Sequence, residues 1–298
     1  MSTKSPALRP TRRRAAPHLV LFVLAAAVCV LGLVATYWFY VRTTTGQYID
    51  ESALDEAVRV QSVVGDPVSR FLDALPVTSV VIAAVVVLFV TLARRRWKAA
   101  GISLAAMLAA NLSTQLVKYL LPDRPERGVV TLDLNSLPSG HSTLAASAAA
   151  AVFLVVSPRW RPAAAFLGGT YAIVSGVSTL VNLWHRPSDV VAAFLVVSLW
   201  TALAAPLVMR TGSSWNVWRG YRGHWASSLW WPVLGLLAGA GSAAAVLLAV
   251  GPLLWGSGAP LGASGYFFAG VGLIVACGYL LTVAGMLLLG AQARRWTS

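Results

Sequence analysis

The stretch LVLFVLAAAVCVLGLVATYWFYV, from Leu19 to Val41, holds no charged residue in 23 positions. At about 1.5 Å rise per residue, a helix of that length crosses a hydrocarbon core of ~30 Å. It closes on Tyr37, Trp38, Phe39 and Tyr40, an aromatic belt of the kind that sits at a membrane interface. Arg12, Arg13 and Arg14 precede it, as in a signal peptide. The apolar run is too long for such a peptide, however, and no small-residue cleavage site follows. Bulky Val28 before Cys29 also argues against a lipoprotein site. The stretch reads as an uncleaved membrane anchor.

The rest of the chain repeats this pattern. Of 298 residues, 57% are hydrophobic and 11% charged, with mean hydropathy +0.72. A soluble domain carries roughly 25% charged residues, so a soluble enzyme, a disordered chain and a disulfide-stapled secreted domain are excluded. Cys29 and Cys277 lie inside apolar runs and read as packing residues. Eight spans are predicted: Leu19–Val41, Val77–Ala93, Ala99–Leu121, His141–Val156, Ala163–Leu183, Val190–Met209, Leu229–Val250 and Tyr266–Leu289. The fold class is therefore all-α, a polytopic membrane helical bundle. The short fourth span either borrows length from its neighbours or is shielded within the bundle.

Charge orients the chain. With the N-terminus in the cytoplasm, the inner segments hold 16 of the 23 Lys and Arg residues, and all ten acids fall outside. Both termini are then cytoplasmic, and the net charge of +13 records topology and attraction to anionic lipids rather than nucleic acid. Between the first two spans, Leu54, Ala57, Val58, Val64, Val68, Phe71, Leu72 and Leu75 recur at helical spacing among acids. They predict an amphipathic helix at about 46–75 on the outer surface, as a structural cover or a lid over a lipid slot. Trp215, Trp218, Tyr221 and Trp225, interleaved with Arg219 and Arg222, read as an interfacial anchor, not a nucleic-acid platform.

Ionisable groups near a membrane interior are functional candidates. Lys118 ends the third span, and Arg124 and Arg127 follow it. Pro138, Ser139, Gly140 and His141 open the fourth, and His185, Arg186, Pro187, Ser188 and Asp189 join the fifth to the sixth. Lys118 and Arg124 supply positive charge for a phosphate. Ser139 and Gly140 precede a helix start, whose free N–H groups attract anions. Asp189, four residues after His185, can accept its Nδ1–H and leave Nε2 as a nucleophile. His141 can protonate the leaving oxygen. Together these form a metal-free phosphoryl-transfer set. His141, His185, Asp189 and Asp133 are acceptable metal ligands, but Lys118 and Arg124 would repel a cation.

These residues resemble the type 2 phosphatidic acid phosphatase (PAP2) superfamily of integral-membrane lipid phosphatases. Its motifs are Lys, six residues, Arg-Pro; then Pro-Ser-Gly-His; then Ser-Arg, five residues, His, three residues, Asp. The second stands here as Pro138 to His141, and His185 and Asp189 match the third. The resemblance implies a six-span core with two further C-terminal spans, and no cofactor or metal. His185 would form a phosphohistidine, Asp189 would orient it, and His141 would serve as acid and then base. Lys118, Arg124, Ser139 and Gly140 would hold the phosphate. Two departures stand out. Five residues, not six, separate Lys118 from Arg124, with Arg127 as an alternative. The motif's Ser-Arg is Ser178-Thr179, so an expected phosphate-binding arginine is missing. Its loss is worth about 2–4 kcal/mol in the transition state. Arg186 or Arg127 replaces it, or the pocket takes a differently shaped phosphate, or activity is weak.

The expected organisation is a basic cytoplasmic tail (1–18), a catalytic core (19–209), a cytoplasmic aromatic and basic loop (210–228) and an accessory two-span segment (229–298). The implied activity is hydrolysis of a lipid phosphate or pyrophosphate at the outer face of a bacterial plasma membrane. Undecaprenyl-type pyrophosphate is favoured, with phosphatidic acid and phosphatidylglycerol phosphate as further substrates. The rivals are a phospho-head-group transferase and a catalytically weak lipid-phosphate binding or transport protein.

Overall fold

The computed structural model describes residues 19–130, 135–212, 216, 224–256 and 265–295. The basic tail, Asp133 and the loop residues Trp215, Trp218, Arg219, Tyr221 and Arg222 lie outside them. The described residues form helices α1 (Leu19–Arg42), α2 (Thr44–Arg94), α3 (Trp97–Leu120), α4 (Gly140–Val155), α5 (Arg161–Val181), α6 (Pro187–Arg210), α7 (Trp230–Leu254) and α8 (Gly265–Arg295), with no strand among them. Seven stretches are long and apolar enough to cross a membrane, and the shorter Gly140–Val155 is the eighth apolar helix.

At 16 residues, α4 is about 24 Å long, too short to span the hydrocarbon unaided. It lies shielded, packed by α2, α3, α5 and α6. Its Ala- and Ser-rich surface allows that close approach. α6 is equally central, lying against α1, α3, α4 and α8. Gly176 on α5 marks one tight crossing, where an added Cβ would sit 2.5 Å from Val190 Cγ1. Of the last two helices, α8 packs on α2, α5 and α6 as well as on α7, whereas α7 lies mainly on α8.

The largest departure from expectation is α2. A surface helix at about 46–75 and a separate span from Val77 were expected, and the two are one continuous helix of 51 residues. Packing carries it past the anticipated break. Leu72 and Leu75 are fully buried in a cluster with Ala145 and Tyr171, and the Tyr171 hydroxyl bonds Ser79 Oγ at 2.8 Å. Its first half runs over the ends of α6 and α5, where Asp50 bonds Ser188 and Ser69 bonds Asn182. Its second half then descends beside α3 and α4, with Val87 packed against Ala100, Ala151 and Val155.

Candidate active site

The start of α4, the start of α6 and the end of α3 meet at one end of the bundle. Ser139 caps α4, its hydroxyl accepting from Ser142 N at 3.3 Å. Its own N–H donates to the Asp189 carbonyl at 2.9 Å, locking the two helix starts together. Gly140 and His141 follow as the first residues of α4, where backbone N–H groups lack intrahelical acceptors and favour an anion. A Cβ at Gly140 would meet only Gln115 Nε2, at 4.0 Å, so the space over this turn is open.

His185 and Asp189 form the expected pair: His185 Nδ1 lies 3.1 Å from Asp189 Oδ2. The same oxygen accepts from Ser136 Oγ at 2.6 Å and from Arg186 N at 3.1 Å. Asp189 is completely buried, and its Oδ1 has no hydrogen-bond partner among the described residues. With Nδ1 engaged, Nε2 keeps a lone pair that can attack phosphorus. The turn before α6 is held by backbone as well. Trp184 N and His185 N both donate to the Thr179 carbonyl, and Leu183 takes a left-handed conformation at φ 62°. Such a conformation costs a bulky residue about 1–2 kcal/mol. Thr179 itself is buried, with its hydroxyl turned back to the Gly176 carbonyl at 2.7 Å. At the position of the missing arginine, this chain has an anchor for the histidine turn.

His141 packs on Trp184, with ring centroids 5.1 Å apart, and lies near enough to His185 and Lys118 for their charges to interact. Lys118 in turn interacts with Asp189 and has no hydrogen-bond partner among the described residues, which leaves its ammonium available to an anion. The arginines behave differently. Arg124 is buried with its side chain sealed from solvent, and its Nη2 pairs with Asp50 Oδ2 at 3.1 Å. Arg127 is exposed on the loop after α3. Arg186 is buried, donating Nε and Nη2 to Glu51 and Nη1 to Ser136 Oγ at 3.1 Å. Burial works against its charge, yet the Glu51 hydrogen bond and the charges of Asp189, Glu51 and Asp50 hold its pKa above the ordinary arginine value. Burial likewise pushes the Asp50 carboxyl up, against the opposing pull of Arg124 and Ser188.

The sequence reading missed Asp50, Glu51 and Ser136, and gave no role to Ser188. Asp50 takes the Ser188 N–H at 3.0 Å and its hydroxyl at 2.6 Å. The available signal was two adjacent acids near the start of an amphipathic helix. Among the described residues no group of three or more His, Cys, Asp or Glu side chains is arranged for a metal.

About 260 Å³ of cavity lies deeper in the bundle, lined by α1, α4, α5, α6 and α8. Its lining begins at Ala146 on α4 and Phe194 on α6, each five residues, or about 7.5 Å, along the helix from His141 and Asp189. Gly168, Gly169, Gly278, Gly285 and several alanines make it roomy and apolar.

A buried Asp–His pair, a lysine and an open helix start thus meet at one end of a bundle with seven helices long and apolar enough to cross a membrane. A model of the PAP2 superfamily matches residues 113–213, from late α3 to just beyond α6, about a third of the chain. Neither the curated proteins nor the solved structures contain a match to this chain.

Proposed function

We propose that this protein is a membrane lipid phosphatase that works through a phosphohistidine on His185. The observation that carries the reading is the His185–Asp189 pair, with Asp189 buried and Nδ1 bonded at 3.1 Å. In the first step Nε2 attacks phosphorus, the N–P bond forms and the P–O bond to the lipid breaks. His141 gives its proton to the departing oxygen. In the second step water attacks phosphorus, His141 takes its proton, the N–P bond breaks and inorganic phosphate leaves. Lys118 and the N–H groups at the start of α4 neutralise the charge on the phosphoryl oxygens. These fixed charges and dipoles fit a reaction that takes no metal cofactor.

A lipid substrate is favoured because an apolar cavity begins about 7.5 Å from His141 and Asp189 along α4 and α6, within a bundle of membrane-length helices. Polyprenyl pyrophosphate is our preferred substrate, with phosphatidic acid and phosphatidylglycerol phosphate next. The Lys and Arg asymmetry favours cytoplasmic termini and a site on the outer face of a bacterial plasma membrane.

The test is phosphate release by detergent-purified protein from each of the three lipids, with EDTA present. The expected result is release that EDTA leaves intact and that falls by at least ~10³-fold in His185→Ala. Release that survives His185→Ala overturns the histidine mechanism. No release from any lipid by folded protein transfers the site to a head-group transferase or a lipid-phosphate binding protein.

A further inference from the structure

The hydrogen bonds of the site do not stop at Asp189. His185 Nδ1 bonds Asp189 Oδ2, which accepts from Ser136 Oγ, which accepts from Arg186 Nη1. Arg186 in turn gives Nε and Nη2 to the two carboxylate oxygens of Glu51. Glu51 belongs to α2, 135 residues away in sequence and outside the family-matched segment. We propose that Glu51 is a positioning residue for the His185–Asp189 pair, acting through Arg186. The proposal rests on the phosphatase reading for its chemistry.

Two groups can compete for the Asp189 carboxylate, the His185 ring and the Arg186 guanidinium. Asp189 Oδ1 is buried and has no partner among the described residues. Arg186 is the nearest cation by connectivity, since its own N–H already donates to Asp189 Oδ2 at 3.1 Å. A guanidinium and a carboxylate so placed can form a two-point pair, and the bonds to Glu51 compete with it. That pair would draw Asp189 away from Nδ1 and leave the imidazole without its orienter. Glu51 opposes this by taking Nε and Nη2 of Arg186, while Nη1 reaches Ser136. Arg186 is thereby kept as a brace. It does not stand in for the missing arginine at Thr179, and phosphate charge falls to Lys118 and the start of α4.

The other charged groups around His185 are His141 on α4, Lys118 on α3, Arg124 after it and Asp50 on α2. Arg124 and Asp50 cancel as an ion pair at 3.1 Å. Removing the Glu51 charge takes one anion from the chain that reaches His185 through Arg186 and Asp189, and losing negative charge near an imidazole disfavours its protonation.

Glu51→Gln keeps size and one acceptor while removing the charge. It is expected to lower kcat by ~10–100-fold, the range for losing an outer partner of a functional histidine, with KM changed by less than about threefold. The acid limb of the kcat profile should move to lower pH. Glu51→Gln and Arg186→Gln together should lose no more than the worse single variant, because they act through one chain. An unchanged kcat and pH profile in folded Glu51→Gln overturns the proposal, as do losses that multiply in the double variant. ¹⁵N NMR of the His185 ring, assigned by its absence in His185→Ala, needs no turnover. It separates this proposal from the phosphatase reading. A ring whose tautomer and titration shift in Glu51→Gln supports the positioning role even if no lipid is hydrolysed. A ring that does not respond overturns it even if the wild type is an active phosphatase.

Discussion

α6 and α7 are hard to tell apart by composition. They have 24 and 25 residues and the same mean hydropathy of 2.2 in their most apolar windows. Yet 61% of that window is buried within the protein in α6 and 17% in α7. Hydropathy measures the readiness of a segment to leave water, and lipid and protein satisfy it equally. What sends α6 to the centre is detail: Ala192, Ala193, Ala202, Ala204 and Ala205 allow neighbouring backbones close, and Ser188 and Asp189 find partners in its first turn. α7 presents Leu236, Leu237, Leu247 and Leu248 outward and keeps Gly235 and Gly239 for contact with Val283 and Leu280 of α8.

The sharpest test of this contrast is Asp189→Asn in the first turn of α6. It should reduce phosphate release by ~10²–10⁴-fold, as the amide can leave His185 in the wrong tautomer, while thermal unfolding in detergent still shows a folded protein. Next, Thr179→Arg restores the family's motif on paper. Because Thr179 is fully buried and holds the His185 turn, the variant should lose activity and about 3–5 kcal/mol of stability through an unpaired buried charge. A gain in activity would mean that the turn yields to admit a guanidinium. Gly176→Ala pushes a methyl into Val190 of α6 and should cost about 1–3 kcal/mol, seen as a lower unfolding midpoint. Smallest is Leu248→Ala on the outward face of α7, expected within ~0.5 kcal/mol of wild type with unchanged turnover. A large effect there would show that α7 has a partner on that face, and would erase the distinction from α6.

Helix class and the contact between His185 and Asp189 were legible in the sequence because both are local signals. An apolar run needs only its own composition, and His185 and Asp189 stand one helical turn apart, so spacing alone places Asp189 near Nδ1. The fate of the arginines was not legible. Arg124 and Arg186 carry the same charge as Lys118, but what decides their use is Asp50 and Glu51, which lie 74 and 135 residues earlier. No periodicity reports a partner at that separation. The continuity of α2 was hidden for a related reason: prolines at 67 and 76 argue locally for a break, while Leu72 and Leu75 are held by residues of α4 and α5.

Three acids of α2 have partners that are synthesised successively later. Asp50 is matched by Arg124 after 74 further residues, Glu51 by Arg186 after 135, and Glu56 by the Phe267 N–H at the start of α8 after 211. Of these three acids, each waits longer than the one before for the partner named. These three contacts of α2 can therefore close only one after another as the chain lengthens. The last clasp closes only when α8 arrives, so a ribosome that stops short of Phe267 leaves Glu56 without this partner and the helix over the site incompletely pinned.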